Sequence, residues 1–291
     1  MQYSEGVNVA GSARQIYLGQ QLRDLRRSAG LSLDDVAERL ERNRTTIGHW
    51  ERGATRVSAQ DLEALLTMYE VSEELAEQLR ELRRDSHKRG WWHSYKLPSF
   101  VKPFLSFESE AVEVFNFELG TIPGLLQTEE YARATHESGR LELSDEELRE
   151  WVEARIRRQA RLDPGGGLTL HTVIAEEALR RVVGSPDLMV RQIEYLEEMS
   201  KKSSVNLRVL PFKHGSHVGI HGPIMVLRSS DPHHGEVAYS DTPLGGHIID
   251  DSRDVAELSR LYSSLEAQAL PHTASYRMLR TIARDHVSAK E

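Results

Sequence analysis

Apolar residues recur every three or four positions through the first third of the chain, which is the spacing of amphipathic helices. A first helix is predicted over residues 14–29, with Gly30 ending it. Ser58 is a favourable N-cap for a fourth helix, and a fifth is predicted from Ser72 to about Lys88. The fifth helix carries one apolar stripe, formed by Leu75, Leu79 and Leu82. The stripe predicts a docking seam against the rest of the chain.

The second and third helices are short, and a tight turn separates them. Ser32 and Asp35 have the spacing of a capping box and begin the second helix. The third is predicted from Asn43, a favourable N-cap, to Gly53, because glycine commonly follows the last residue of a helix. Its exposed side is expected to be polar or small: Arg44, Thr45, Gly48 and His49. A face of short polar side chains on such a helix suits entry into the major groove of DNA.

Residues 14–71 resemble the helix-turn-helix of the xenobiotic-response-element (XRE) family, a fold also seen in phage repressors. The resemblance is carried by LGQQLRDLR at residues 18–26 and by IGHWERG at residues 47–53. Two positions depart from the family pattern. Leu33 stands where the family often has a glutamine that meets a phosphate, and Glu41 stands where the turn often has glycine. The resemblance implies an all-α domain that binds DNA.

The exposed face and this resemblance together predict which residues meet DNA. Arginine can form a bidentate contact to guanine, and threonine can meet a thymine methyl group. The residues expected to read bases are Arg44, Thr45, Thr46 and His49. The residues expected to contact the DNA backbone are Ser32, Asn43, Arg52 and Arg56. A helical pair inside a plain helical domain, without DNA contact, is the alternative.

The pattern changes beyond Gly90, where we place a domain boundary. Residues 1–13 are expected to form a flexible arm, residues 14–90 the helix-turn-helix domain with a linking helix, and residues 91–291 a second domain. Strands are predicted there at residues 110–119, 168–174, 205–210, 224–228, 236–240 and 246–249. Helices are predicted after Thr128 and Ser144 and at residues 175–183, 186–200, 252–268 and 274–285. The fold class is therefore α+β, an all-α phage-repressor-like domain followed by a mixed α/β domain.

The second domain also resembles a known family. The resemblance is carried by Trp91-Trp92, by IPGLLQTEEYA at residues 122–132, by Pro211-Phe212 and by Ser240-Asp241. These look like the uncharacterised C-terminal domain that follows XRE helix-turn-helix domains in many actinobacterial regulators. The resemblance spans roughly residues 95–280 and implies an antitoxin-like regulator, usually encoded beside a small partner protein. A turn ahead of a helix capped by Thr128 explains the Pro, Gly and Thr of IPGLLQT, and its residue types indicate no chemistry.

Charge and composition narrow the classes of function. The net charge is −8 over 291 residues, yet residues 14–56 hold nine arginines against six acidic residues. DNA binding needs a basic stripe and not a basic protein, because affinity comes largely from neutralised phosphates. A second basic run, at residues 80–89, fits a solvated helix face equally well. Cysteine is absent, and no apolar run approaches the ~18 residues that span a bilayer. We expect a cytoplasmic, nucleoid-associated protein.

Two groups of side chains in the second domain are candidate ligand sites. Six histidines fall close together in the sequence: His214, His217, His221, His233, His234 and His247. They suit a metal or ligand pocket or a pH-responsive loop, but their spacing lacks a helical metal motif, and exposed loop histidines explain them as well. The paired Trp91 and Trp92 suit either a pocket wall or burial at the domain junction. The candidate ligand or partner residues are Trp91, Trp92, His214, His217 and His221.

The sequence leads to two hypotheses on function. The first is a transcriptional regulator that binds a two-fold DNA operator as a homodimer and is controlled by a small protein encoded by a neighbouring gene. The second is a one-component regulator whose C-terminal domain senses a small molecule. No nucleophile elbow, phosphate loop or dinucleotide fingerprint occurs in the sequence, so we expect neither catalysis nor a cofactor or metal. A pocket with convergent polar groups would favour the sensor, and a large exposed apolar patch would favour the protein partner.

Overall fold

The computed structural model describes residues 12–85, 90–98, 100–137, 143–230, 236–242 and 245–288. A group of five helices is followed by a six-stranded mixed sheet with helices on both faces. The predicted α+β class is confirmed. Most of the predicted N-terminal arm lies outside the described residues, and so do His233 and His234.

The five N-terminal helices are α1 (Ala13–Ser28), α2 (Leu33–Arg39), α3 (Arg44–Glu51), α4 (Ala59–Met68) and α5 (Glu73–Asp85). The capping box predicted for the second helix is present, since Ser32 and Asp35 bond each other's backbone amides reciprocally. The Ser58 side chain caps α4 in a similar way by accepting from the Asp61 amide. Helix α5 is described as far as Asp85, and its predicted end at about Lys88 lies outside the described residues.

Close backbone packing fixes α3 against α1. A Cβ atom added at Gly19 in α1 would lie 2.5 Å from the carbonyl oxygen of Trp50, and one added at Gly53 would lie 2.7 Å from the Ile16 Cα. Only glycine allows this approach, which explains both glycines of the sequence pattern. Of the predicted apolar stripe of α5, Leu79 and Leu82 are buried in the same core, and Leu75 is half-buried against it.

The second domain contains seven helices among the described residues: α6 (Val101–Glu110), α7 (Glu129–Glu137), α8 (Asp145–Gln159), α9 (Glu176–Arg180), α10 (Pro186–Met199), α11 (Ser252–Gln268) and α12 (His272–Ser288). Its strands are β1 (Ala111–Glu118), β2 (Thr169–Ala175), β3 (Val205–Leu210), β4 (Ile224–Ser229), β5 (Glu236–Thr242) and β6 (Gly245–Ile249). All six predicted strands are present. Helix α6 was not predicted, because it begins without a side-chain cap and is buried along most of its length.

The strand order in the sheet is β3-β2-β1-β4-β5-β6. The first three strands pair in parallel, whereas β4 pairs antiparallel with β1, β5 with β4 and β6 with β5. Strand β1 therefore lies in the middle of the sheet, next to both β2 and β4. Side chains alternate between the two faces along each strand. Phe117 packs into the core beneath α11, whereas Val114, Asn116 and Glu118 point to the opposite face.

The two domains share one hydrophobic core through α1 and α6. The ring of Tyr17 meets the ring of Phe107 edge to face, with centroids 5.0 Å apart. The amide of Ala13, at the start of α1, donates a buried hydrogen bond of 2.7 Å to the Ser106 hydroxyl. The Arg14 guanidinium pairs with Glu110 at 3.0 Å. Helix α6 therefore connects the helix-turn-helix to the sheet.

Candidate nucleic-acid interface and ligand cavity

Helix α3 exposes a polar face beyond its buried residues Ile47 and Trp50. Arg44 and Thr45 are exposed, and Thr46 and His49 are half-buried on the same short helix. The expectation that Gly48 lies on this face is wrong, because Gly48 is buried and the Arg52 guanidinium lies over it. The surface available on α3 therefore consists of side chains from its first turn together with His49.

Among the described residues, the side chain of Arg44 has one ionic contact, to Asp34 of α2 at 3.6 Å. Both side chains are largely exposed, at 66% and 72%. Exposed pairs of this kind contribute little free energy, so the guanidinium can leave Asp34 for a DNA base without a large penalty.

The four residues predicted to contact the DNA backbone differ in their present contacts. Asn43 is exposed and its side chain makes no capping hydrogen bond, whereas the Ser32 hydroxyl accepts from the Asp35 amide. Arg52 is half-buried over Gly48. Arg56 is exposed and donates to the carbonyl oxygen of Arg83 in α5 at 2.9 Å. Asn43 is therefore the most readily available of the four.

Two further cations lie near α3 and were missed by the sequence reasoning. Arg39 and Arg42 are both exposed at the turn between α2 and α3. Arg42 pairs with Asp61 at 3.1 Å, which orients its guanidinium. Their position in the turn, next to the start of α3, was the available signal.

Glu41 occupies the turn between α2 and α3 in a strained conformation. Its φ is +53°, in the left-handed region that glycine favours. Glycine often stands at this position in the family that the sequence resembles, so the conformation explains that preference. The turn is retained because the Arg42 amide still closes α2 by donating to the Ala37 carbonyl at 2.9 Å.

A buried ion pair holds the C-terminal end of α3. The Arg26 guanidinium donates two hydrogen bonds to the Glu51 carboxylate, at 2.6 and 2.9 Å, and a third to the Leu31 carbonyl. The Arg26 and Glu51 side chains are only 11% and 7% exposed. This contact explains the glutamate of the IGHWERG string as a residue that positions α3.

Arg23 links the end of α3 to the second domain. Its Nη2 atom donates to the Glu51 carbonyl at 3.0 Å and to an oxygen of the Asp250 carboxylate at 2.9 Å. Asp250 directly follows β6, at the edge of the sheet. One side chain therefore contacts both the last residue of α3 and the residue that follows the final strand of the sheet.

A cavity of about 680 Å³ lies on the sheet face opposite α11. Strands β1, β4 and β5 form its floor with alternate side chains: Asn116, Glu118, Met225, Tyr239 and Asp241. Its walls come from α6, α7, α8 and the segment before α7, and include Phe100, Phe104, Ile122, Gly124, His136, Trp151, Arg155 and Arg158. Gly246 on β6 makes room for the floor, since a Cβ there would collide with the Tyr239 ring.

Several ionisable groups around the cavity have shifted pKa values. Burial raises the pKa of the Glu118 carboxyl to about 7, although Asn116 and Thr121 donate hydrogen bonds to it. Burial and the nearby charge of Arg158 lower the pKa of Arg155 to about 10. Burial, with Arg155 nearby, lowers the pKa of His136 to about 4, so this ring is neutral at neutral pH. Such perturbed groups in a concave site indicate a candidate binding site.

The IPGLLQT motif forms part of this cavity. Gly124 and Gln127 line it, and Gln127 is held in place by a hydrogen bond from its Nε2 to the Ile122 carbonyl at 2.7 Å. The prediction that Thr128 caps a helix is confirmed, because its hydroxyl accepts from the Tyr131 amide. The motif therefore caps a helix, as predicted, and it also contributes residues to the cavity wall, which was not predicted.

The sequence-predicted ligand residues lie outside the cavity. Trp92 is buried, and Trp91 packs edge to face against Trp92 and Tyr95 beneath the Arg157 guanidinium. His214 and His221 are exposed. His217 is half-buried against Phe117, and burial lowers its pKa. Within the described ranges, no group of three histidine, aspartate or glutamate residues is arranged to hold a metal ion.

Comparisons with known sequences assign both halves of the chain. Residues 17–79 match a family described as a helix-turn-helix domain, and residues 101–281 match one described as a domain of unknown function, DUF5753. No curated protein matches the chain. In the part that the structure describes, no helix is long and apolar enough to cross a membrane. The helix-turn-helix indicates a DNA-binding regulator. Because the DUF5753 match covers more than half of its residues, the chain belongs to the DUF5753 family and carries a helix-turn-helix domain before it.

Proposed function

We propose that this protein is a sequence-specific transcriptional regulator that reads its operator with α3. The observation that carries the proposal is the exposed polar face of α3, formed by Arg44, Thr45, Thr46 and His49, on a helix-turn-helix domain. A helix of this kind enters the major groove with its N-terminal residues toward the bases. Arg44 then reads guanine, and Asn43 contacts a neighbouring phosphate.

Two copies of the chain bind a two-fold operator. One helix-turn-helix buries less DNA surface than a typical specific complex, so a second copy supplies the missing contacts. The half-sites then lie about 34 Å apart, or a multiple of that distance, on one side of the duplex. Exposed arginines, among them Arg39 and Arg42, contribute contacts to phosphates.

The test selects binding sites for the full-length protein from a random-sequence DNA pool. We expect a two-fold consensus, and log affinity that falls with log salt by about 0.9 for each neutralised phosphate. Arg44→Ala is expected to weaken binding by about 1 to 3 kcal/mol and to relax the preference at one base pair. Arg149→Ala is the matched control, because Arg149 is exposed on α8 in the other domain. Wild-type affinity and preference in Arg44→Ala, or a consensus without two-fold symmetry, would contradict the proposal.

The C-terminal domain controls DNA binding by taking up a small molecule. The cavity and its converging polar groups support this role, and its walls are connected to the helix-turn-helix by two routes. In the first route, helix α6 lines the cavity with Phe104, and its Ser106 hydroxyl accepts a hydrogen bond from the Ala13 amide of α1. In the second route, strand β5 lines the cavity with Tyr239 and Asp241 and pairs with β6. Asp250 follows β6 and accepts a hydrogen bond from Arg23 of α1. Control requires the ligand to have different affinities for the DNA-bound and free states. The proposed role of the cavity is binding and not catalysis.

Control by a small protein from a neighbouring gene is a second candidate. The segment at residues 212–220 exposes three apolar side chains, Phe212, Val218 and Ile220, and two of them are about half accessible. His214 and His217 lie in the same segment, and His221 directly follows it. The double variant Phe212→Ser, Ile220→Ser separates the candidates. If it no longer binds the small protein, and the small protein no longer changes operator affinity, control by the protein partner is favoured. If it binds the small protein as the wild type does, this surface is excluded as the binding site.

A further inference from the structure

Gly124 is a glycine that the fold does not need. Its φ lies outside the left-handed region, so any residue can adopt its backbone conformation. A Cβ atom added there would meet only ordinary contacts, 3.6 Å from Nη1 of Arg158 and 3.8 Å from Nη1 of Arg155. The missing side chain therefore leaves open a space in the cavity that two guanidinium groups face.

The two guanidinium groups differ in their partners. Arg158 donates from Nε and Nη2 to both oxygens of the buried Glu108 carboxylate, at 2.6 and 2.5 Å. This leaves its Nη1 toward Gly124. Arg155 has no carboxylate partner among the described residues: its Nη1 donates to the Gln127 side-chain oxygen at 2.7 Å, and its Nε has no hydrogen-bond partner there.

Arg155 is half-buried, with its Nε covered, and a guanidinium in such a place without a hydrogen-bonded anion is unfavourable, because its lost hydration is not fully replaced. The charge of Arg158 adds to this, since burial and Arg158 together lower the pKa of Arg155. A carboxylate placed beside Gly124 would accept charge-assisted hydrogen bonds from both arginines. The carboxylates of Asp241, Glu118 and Glu108 act on Arg155 only through space. No described carboxylate accepts a hydrogen bond from it, so the space beside Gly124 can take an anion that does.

The rest of the cavity limits the ligand. Phe104, Trp151 and Ile122 provide apolar surface next to the guanidinium groups, and the Phe104 ring lies against Arg158 with 4.9 Å between Cζ and the ring centroid. The floor carries the acidic residues Glu118 and Asp241. A second negative charge on the ligand would meet these carboxyl groups, so the ligand carries only one.

We propose that the cavity binds a small organic monocarboxylate with an apolar, ring-sized body. The carboxylate lies at Gly124 between Arg155 and Arg158, and the body packs on Phe104, Trp151 and Ile122. A volume of about 680 Å³ is within the range of small-molecule sites. The proposal names the ligand class for the regulator proposed above, and it rests on that function only for the effect of the ligand on DNA binding.

The test titrates the full-length protein with four probes, and calorimetry or ligand-observed NMR measures binding. Phenylacetate, phenethylamine and phenethyl alcohol share one ring and differ in the polar end group, and inorganic phosphate supplies an anion without a body. We expect phenylacetate to bind at least tenfold more tightly than each of the other three. Equal binding of the amine or alcohol, equal binding of phosphate, or no binding of phenylacetate would overturn the proposal.

Two variants locate the carboxylate. Gly124→Ala places a methyl group in the proposed carboxylate position without a steric clash, and we expect it to weaken phenylacetate binding at least tenfold while the melting temperature is retained. Gly120→Ala is the matched control, because a Cβ there meets nothing within 4 Å and Gly120 does not line the cavity. Arg155→Gln is expected to weaken phenylacetate binding and leave phenethyl alcohol unaffected. Wild-type phenylacetate affinity in Gly124→Ala would refute this placement.

Operator binding is measured on the same preparations. Loss of phenylacetate binding with intact operator binding refutes the ligand class alone, whereas absence of operator binding refutes the regulator. The two proposals therefore fail separately.

Discussion

Arg23 of α1 and Asp250 after β6 form an ion pair of 2.9 Å, and the same Arg23 nitrogen donates to the carbonyl oxygen of Glu51 at the end of α3. Their side chains are 20% and 28% exposed, so water screens the pair only in part. The two residues are far apart in sequence, and the contact joins a sheet edge to the helix proposed to read DNA. A change in the sheet can therefore alter the support of α3.

Asp250→Ala should loosen the end of α3. Arg23 loses its carboxylate partner, so the amides of Arg52, Gly53 and Ala54, which close α3, should exchange hydrogen faster. We expect the free energy of opening at the end of α3 to fall by only about 0.5 to 1 kcal/mol, because the pair is partly exposed. Hydrogen exchange followed by mass spectrometry measures the effect. Asp254→Ala, an exposed carboxylate on α11, is the control, and equal exchange in the two variants would show that the link does not hold α3.

The buried pair of Arg26 and Glu51 should contribute strongly to stability. Glu51→Ala leaves a buried guanidinium without its anion, and such losses are about 3 to 5 kcal/mol. Urea unfolding of Glu51→Ala, Arg26→Ala and the double variant gives the coupling energy. We expect the double variant to be less destabilised than the sum of the single variants. Glu38→Ala, an exposed residue of α2, controls for the loss of a surface carboxylate, and additive losses would contradict this account.

Replacing Glu41 by glycine should stabilise the protein. The left-handed conformation disfavours a side chain by about 1 to 2 kcal/mol, and part of the gain is lost to the flexibility of glycine in the unfolded chain. We expect a net gain of about 0.5 to 1 kcal/mol in urea unfolding. Glu70, after α4, has nearly the same φ of +52°, so Glu70→Gly is the matched variant. Both should stabilise, but only Glu41→Gly should raise operator affinity, since it removes a negative charge beside α3. Equal operator affinity in the two variants would argue against DNA contact at this turn.

Glu118 should make the stability of the protein fall as pH rises from about 4.5 to 7. Its pKa is raised to about 7 in the folded state, so over this range the folded protein binds more protons than the unfolded chain. The free-energy cost of burying the ionised Glu118 carboxylate is fully present above pH 7, and it is absent from Glu118→Gln. Relative to the wild type, the free energy of unfolding of the variant should therefore be higher by up to ~3 kcal/mol at pH 8 than it is at pH 4.5.

His136 changes stability in the opposite direction, because its lowered pKa favours the folded state as pH rises from about 4 to 6.5. This contribution is present in both proteins and cancels in the comparison. The charged groups that influence Glu118 are Arg155 and Asp241, and both remain in the variant. Glu137→Gln, an exposed residue of α7, is the control in urea unfolding at the two pH values. A difference between Glu118→Gln and wild type that does not change with pH would contradict the buried position of this carboxyl.

Elements with strong local signals in the sequence formed where they were predicted. The predicted helix at residues 252–268 coincides with α11, and α8 begins after Ser144 as predicted, with a capping box between Ser144 and Glu147. Helix α9 is shorter than predicted, because Arg181 adopts an extended backbone immediately after Arg180. Helix α6 gave no periodic signal, since it packs against neighbours on more than one side and its residues are mostly buried.

The candidate sites differ in the same way. The polar face of α3 could be predicted, because helical periodicity alone decides which side chains of a short capped helix face away from Ile47 and Trp50. The cavity could not be predicted. Glu118, Arg155 and Asp241 lie on three different elements, and only the packing of α8 on the sheet and the pairing of β4 and β5 bring them to one place.

The sequence by itself determined the helix-turn-helix, the side-chain caps at Ser32 and Ser58, the six strands and the α+β class, because these depend on residues a few positions apart. Asn43 begins α3 as predicted, but without a side-chain capping bond. The tertiary structure decided which side chains meet across long separations. It placed β1 at the centre of the sheet, made Gly124 part of a cavity wall, and brought Arg23 to Asp250. The physical reason is that such contacts depend on strand order and helix packing, which local patterns of apolar and polar residues do not specify.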